Sequence, residues 1–136
     1  QKLFDFATFV IRFVRRLPRH KEHVSYFRGV SVRAFEHLAV AEVSSIANVG
    51  DALKKLQVWT VGLDADGRQS LFGLALLAEP VAIVVGAEGS GLSRLVRERV
   101  DVVASIPIRG PVESLNASVA AALAVYEVAR VRANSQ

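Results

Sequence analysis

The sequence contains no cysteine and no apolar run of membrane-spanning length. Without cysteine, neither a disulfide framework nor a thiolate metal site can form. A transmembrane helix needs roughly 18 consecutive apolar residues, and nothing near the amino terminus resembles a cleaved signal peptide. These absences exclude a membrane-spanning helix and favour a cytoplasmic protein, for which we predict no membrane partner. A basic amphipathic helix near the amino terminus could also lie on a membrane surface, but we favour its packing on the domain.

Metal ligands are also scarce. The chain has three histidines, and His20 and His23 are spaced to share one helix face. No further ligand accompanies them apart from Glu22. We therefore predict a solvated histidine pair and no metal site.

The composition is that of a folded domain. The chain has 136 residues, which fits one domain. Hydrophobic residues make up 51% of it, enough for a real core, which argues against disorder.

Positive charge is concentrated near the amino terminus. Residues 1–33 carry a net charge of +6, against +4 for the whole chain, so the remainder is slightly acidic. The basic residues are Lys2, Arg12, Arg15, Arg16, Arg19, Lys21, Arg28 and Arg33. A basic arm on a near-neutral domain predicts an anionic partner such as RNA. A solvated basic helix face is the alternative.

The same segment has helical periodicity. Its apolar residues at 3-4 spacing are Leu3, Phe6, Val10, Phe13 and Leu17. This spacing predicts a helix over residues 1–17, which Pro18 ends. We divide the chain into a basic amphipathic segment, 1–29, and a domain over 30–136.

The first informative stretch runs from Val81 to Leu95. Val81–Val85 is a continuous apolar, mostly β-branched run, which predicts a strand of a parallel sheet buried on both faces. Three glycines follow at 86, 89 and 91, and then a helical apolar pattern begins at Leu92. A glycine loop at the carboxyl end of such a strand is where open α/β folds bind ligands.

Known phosphate motifs do not fit this loop. Gly86 and Gly91 have the spacing of a phosphate-binding loop, and Ser93 is in place, but Leu92 occupies the lysine position. The dinucleotide pattern G-x-G-x-x-G is absent as well. A tight turn that needs glycine is the simpler interpretation.

The second stretch begins with a predicted strand end at Ile106–Ile108. A turn at 109–111 follows, and Ser114 or Asn116 is positioned to cap the next helix. That helix has Val119, Leu123 and Tyr126 at helical spacing, surrounded by alanines. The alanines permit close approach of another backbone, in the core or at a subunit interface.

The central part of the chain has a simpler pattern. Residues 48–57 predict a helix capped by Asn48 or Asp51. Residues 58–63 predict a strand, and Asp64–Gly67 a turn in which the aspartates serve turn chemistry. Leu71–Leu77 predicts a short helix or loop packed on the sheet.

Two parts of the chain resemble the second and third motifs of the SpoU (TrmH-type) RNA 2′-O-ribose methyltransferases. The matching residues are 86–92 (GAEGSGL), Asp101, Ile106–Pro107 and 114–120 (SLNASVA). The resemblance extends from about residue 31 to residue 132. It implies the α/β fold of the SPOUT class, with a parallel sheet and a carboxyl-terminal trefoil knot. It also implies that the usual amino-terminal part of the domain is missing.

The resemblance further implies a site for S-adenosyl-L-methionine, with Gly86, Ile106 and Leu115 as the cofactor-binding residues. The polar residues that match positions near the reacting centre, and so are the catalytic candidates, are Glu88, Ser114 and Asn116. Arg109, in the loop before the last helix, is the candidate for an RNA phosphate contact.

The implied function is methylation of a ribose 2′-hydroxyl by a homodimer that packs around the carboxyl-terminal helix. The motifs look closer to the ribosomal RNA guanosine enzymes than to the transfer RNA enzymes. The family's first motif, Asn-x-Gly-x-x-x-Arg, is not found before Ser31. The alternative is therefore a non-catalytic relative that binds RNA or a protein partner.

Overall fold

The computed structural model describes residues 8–12, 46–86, 90–112 and 115–135, with side chains from residue 48 onward. A parallel sheet has the order β1-β4-β2-β5-β3. Its strands are β1 (Thr8–Arg12), β2 (Trp59–Leu63), β3 (Gln69–Ser70), β4 (Val81–Val85) and β5 (Val102–Ser105). The helices are α1 (Ile46–Lys55), α2 (Arg94–Arg99), α3 (Ala117–Asn134) and a 3₁₀ helix (Ala75–Ala78). Within these ranges no helix is long and apolar enough to cross a bilayer.

Strand β4 confirms the prediction of a buried parallel strand. All five of its residues are buried, and it pairs in parallel with β1 on one side and β2 on the other. Val81, Ile83 and Val85 pack toward α3, whereas Ala82 packs toward α1 and Val84 toward α2. Helices therefore cover both faces of the sheet, as parallel sheets require.

The predicted amino-terminal helix is wrong at residues 8–12, which form β1. The register with β4 runs from Thr8 opposite Val81 to Arg12 opposite Val85. The segment TFVIR is rich in β-branched and aromatic residues, which favour a strand. Pairing with the central strand outweighs the weak 3-4 spacing of the flanking apolar residues. The division of the chain at residue 29 stays a prediction.

Helix α1 confirms the predicted helix, but its start differs. It begins at Ile46, so Asn48 and Asp51 lie inside it and cannot be its caps. Leu53 is buried against the sheet, while Leu56 follows the last turn and is 47% exposed. The prediction for residues 48–57 thus located the helix and misplaced its ends.

Helix α3 is capped by Asn116, whose side-chain oxygen accepts a hydrogen bond from the Ser118 N–H at 2.8 Å. Its small side chains form the buried face: Ala117, Ala121, Ala124 and Val128. Because these side chains are short, the helix backbone lies close to the sheet. The apolar stripe at Val119, Leu123 and Tyr126 faces outward instead.

Charged side chains hold α3 against the edge of the domain. Glu127 is buried and accepts a hydrogen bond from the Gly73 N–H at 2.8 Å. The hydrogen bonds from Arg130 lower the pKa of the Glu127 carboxyl, and this effect outweighs burial, which raises it. Arg132 donates to the backbone carbonyl of Glu79 at 2.8 Å. The loop before the 3₁₀ helix and the segment after it are thereby attached to α3.

The link between β2 and β3 crosses over β5. Leu63 at the end of β2 and Gln69 at the start of β3 both lie opposite Ala104, on its two sides. A Cβ atom at Gly67 would lie 2.5 Å from the backbone carbonyl carbon of Ala104 and 2.6 Å from the nitrogen of Ser105. Only glycine permits the two backbones to lie this close. We call residues 64–68 the β2–β3 bridge.

Candidate functional site

A cavity of about 550 Å³ lies at the carboxyl edge of the sheet. The chain segments that follow β2, β4 and β5 form it, because the carboxyl ends of parallel strands meet at one edge. Its size is within the range of small-molecule sites. Strand β5 ends at Ser105, so the predicted strand end at Ile106–Ile108 is wrong, and both isoleucines line the cavity instead.

One wall of the cavity is apolar. Its residues come from the segment after β5 and from the start of α3: Ile106, Ile108, Leu115, Ala117 and Ala120. The opposite wall is charged, with residues from the β2–β3 bridge and from α2: Asp64, Asp66, Arg94 and Arg97. The loop after β4 lies between the two walls.

The structure brings the three predicted cofactor-binding residues to this one cavity. Gly86, Ile106 and Leu115 all line it, although they lie on three separate segments. Asn116 follows Leu115 directly and is exposed at the helix start. Arg109 is exposed in the loop between β5 and α3 and does not line the cavity. Glu88 and Ser114 lie outside the described residues.

Gly86 is packed against its own loop. A Cβ atom here would overlap the carbonyl group of Gly91 and lie 2.7 Å from the nitrogen of Leu92. Gly91 itself has φ +63°, in the left-handed region that favours glycine. The chain therefore turns back on the end of β4, and both glycines are needed for that turn. A glycine turn was the simpler interpretation from the sequence, and here it coexists with a cavity.

Asp64 connects the two loops on the charged side. Its carboxylate accepts hydrogen bonds from the backbone N–H of Asp66 at 3.0 Å and of Leu92 at 3.2 Å. Arg97 donates to the same carboxylate through Nε, at 3.3 Å, and through Nη2. A carboxylate with these donors on several sides is held in one orientation.

The hydrogen bonds also set the protonation of Asp64. Burial on its own raises the pKa of the carboxyl. The hydrogen bonds from Asp66, Arg97 and Leu92 lower it further than burial raises it, so the pKa lies below its usual value. Asp64 is therefore charged at neutral pH and keeps its arginine partner.

Sequence reasoning identified only the turn chemistry of Asp64, which the bond to Asp66 confirms. It missed the contact with Arg97, which is 33 residues later in the chain. No local pattern could reveal this pair, because it depends on how α2 packs beside β2. Among the described residues, no group of three or more acidic or histidine side chains could hold a metal ion.

Comparison with known proteins gives one family. The SpoU rRNA Methylase family matches residues 4–126 of this chain. An uncharacterized tRNA/rRNA methyltransferase of Mycobacterium sp. (strain KMS) is 42% identical, covering 90% of this chain and 42% of the relative. The 23S rRNA (guanosine-2′-O-)-methyltransferase RlmB of Xylella fastidiosa (strain 9a5c) is 44% identical, covering 77% of this chain and 42% of the relative.

A solved structure points to the same family as the sequence relatives. The SpoU methyltransferase AviRb from Streptomyces viridochromogenes, in complex with the cofactor AdoMet, superposes with a TM-score of 0.60. It is 33% identical, and the match covers 66% of this chain and 36% of that one. The chain thus spans less than half the length of each of these three relatives.

Proposed function

Because the chain belongs to the SpoU rRNA Methylase family, we propose that it transfers a methyl group from S-adenosyl-L-methionine to a ribose 2′-hydroxyl of RNA. The cavity at the carboxyl edge of the sheet carries this proposal, since Gly86, Ile106 and Leu115 converge on it from three loops. The AdoMet complex of AviRb supports the cofactor, and the name of RlmB supports the 2′-hydroxyl as acceptor.

The residues present fit this cofactor. The cavity of about 550 Å³ has an apolar wall, at Ile106 and Leu115, against which an adenine ring can lie. The strand end at Gly86 offers backbone hydrogen-bonding groups for the edge of the ring. When bound, S-adenosyl-L-methionine supplies an electrophilic methyl group.

We assign the remaining candidates to the methyl transfer itself and to RNA binding. A ribose hydroxyl is a weak nucleophile and must be positioned and relieved of its proton. Glu88, Ser114 and Asn116 are the polar residues that we assign to the reacting centre, as orienting groups. Arg109 is exposed on the neighbouring loop, where its guanidinium can bind an RNA phosphate.

The substrate that we propose is ribosomal RNA, with guanosine as the target nucleotide. The relative from Xylella fastidiosa, named for 23S rRNA and guanosine, supports this choice. The basic amino-terminal segment, residues 1–29, supplies further charge for a phosphate backbone. We place the methyltransferase domain at 30–136, and strand β1 of the preceding segment pairs with β4 of that domain.

A methyl-transfer assay tests this function. The purified chain is incubated with methyl-labelled S-adenosyl-L-methionine and either ribosomal RNA or transfer RNA. We expect label in ribosomal RNA, at a linkage that resists alkaline cleavage because the 2′-oxygen is methylated. Binding of S-adenosylhomocysteine without transfer to either RNA would instead favour the non-catalytic RNA- or partner-binding alternative.

We also propose that the carboxyl-terminal half forms a trefoil knot. The β2–β3 bridge supports it, because this short link passes over a strand that comes later in the chain. True knots are rare among proteins, so the family's fold is the second support.

We propose that the chain forms a homodimer whose interface is built on α3. Val119, Leu123 and Tyr126 are 48%, 36% and 71% exposed and lie on one stripe of this helix. Large apolar side chains aligned on one surface favour an interface. We expect Leu123→Glu combined with Tyr126→Glu to convert the dimer to a monomer, because the interface would then bury carboxylates.

Sedimentation at several protein concentrations measures this change. Leu56→Glu is the matched control, because Leu56 is similarly exposed but lies beyond α1, away from the stripe. It should leave the dimer intact. A wild-type protein that sediments as a monomer at high concentration would contradict the proposed assembly.

A further inference from the structure

The two walls of the cavity differ in charge because they come from opposite faces of the sheet. Helix α2 packs on the face that carries Val84, and α3 packs on the face that carries Ile83. The apolar wall belongs to the α3 side, and the charged wall to the α2 side. A ligand that fills the cavity therefore meets hydrocarbon on one side and fixed charges on the other.

Arg97 is the best-oriented cation of the charged wall. Its side chain is 38% exposed, and its contact with Asp64 uses Nε and Nη2. Within the described residues, Nη1 has no acceptor, so its two N–H donors are available to a ligand. Because Asp64 holds the guanidinium in place, little side-chain freedom remains to be lost when a ligand binds.

The neighbouring charges complete a zwitterionic surface. Asp66 lies 4.0 Å from Arg97 and is 89% exposed, so its carboxylate can face a ligand's ammonium group. Arg94 is 92% exposed and is paired with Glu98, four residues later on α2, which makes it a less fixed partner. One guanidinium and one carboxylate side by side match the two charges of an α-amino acid.

We propose that Arg97 binds the α-carboxylate at the amino-acid end of the cofactor, with Asp66 facing the ammonium group. The adenosine end then lies against the apolar wall. This inference rests on the proposed function and adds to it a specificity residue, which distinguishes ligands that carry an amino-acid end from ligands that lack one.

Calorimetric titration with two ligands tests it. S-adenosylhomocysteine has the amino-acid end, and 5′-methylthioadenosine does not. We expect Arg97→Gln to weaken binding of S-adenosylhomocysteine by about tenfold to a hundredfold, the usual effect of losing a charge-assisted hydrogen bond. Binding of 5′-methylthioadenosine should change by less than about twofold, within the scatter of distant substitutions. Arg97→Lys keeps the charge without the planar fork, so its affinity for S-adenosylhomocysteine should fall between those of the wild type and Arg97→Gln.

The control is Arg99→Gln, which removes the same charge from the same helix at a residue that does not line the cavity. It should alter neither affinity. If Arg97→Gln weakens both ligands equally, Arg97 acts only by holding its loop, and the inference alone is overturned. If the wild-type protein binds neither ligand, the cofactor site itself is refuted, and the inference falls with it.

Discussion

Replacing Gly86 by alanine is expected to lower the free energy of unfolding by about 3 kcal/mol, the upper end of the usual cost of overpacking. The added methyl group would overlap the backbone carbonyl of Gly91, and it would lie 2.7 Å from the nitrogen of Leu92. A flexible side chain could move away, but backbone atoms can move only if the whole loop shifts. That loop is held from its other side by the Asp64 carboxylate, so no relaxed position is close by.

Chemical denaturation measures this loss, and ligand titration should show an impaired cavity in any protein that remains folded. Gly50→Ala is the matched control. It lies inside α1, and its added Cβ would have no neighbour within 4 Å. It should stabilise the protein by about 0.5–1 kcal/mol, since alanine favours a helix. Equal stability of the two alanine variants would show that the loop does not pack against β4 as described.

Replacing Leu115 by arginine is expected to reduce affinity for S-adenosylhomocysteine by more than about a hundredfold. Leu115 is partly buried and lines the apolar wall just before α3. A guanidinium placed there would fill part of the cavity and would lose hydration without a partner, which costs several kcal/mol. A hundredfold change corresponds to about 2.7 kcal/mol, so the expected effect exceeds it.

The same titration checks this result, with circular dichroism to confirm that the variant is folded. Leu95→Arg is the control: this leucine is 52% exposed on α2 and does not line the cavity. It should bind the ligand as the wild type does. A Leu115→Arg protein that is folded and binds normally would place the cofactor elsewhere.

The parts of the fold that could be predicted are those in which the residues of one short segment determine its structure. Val81–Val85 is apolar throughout, so burial on both faces followed directly. Asn116 preceded a run of small residues and became the cap of α3. The convergence of Gly86, Ile106 and Leu115 on one cavity was expected from the family resemblance alone. The three residues are far apart in the sequence, so no local pattern reveals it.

What could not be predicted depends on contacts between distant segments. The 3-4 spacing around Thr8–Arg12 pointed to a helix, but the segment pairs with β4 as a strand. On α3 the periodicity identified the large apolar stripe, but the alanines pack against the sheet and Tyr126 is exposed. The contact between Asp64 and Arg97 is of the same kind, because each residue alone resembles a surface charge.

The β2–β3 bridge has a consequence for how the protein is made. During synthesis β2, the bridge and β3 leave the ribosome before β5, yet β5 lies between the two strands that the bridge already joins. Strand β5 must slide beneath the bridge, or the bridge must close over β5 afterwards. Neither event can begin from local contacts, and such non-local steps are slow.

The cavity is bounded by the bridge and by the segment after β5, so it exists only once this step is complete. Ligand binding would therefore report an event that follows this step, and its lag behind helix formation would set an upper limit on the time that the step takes.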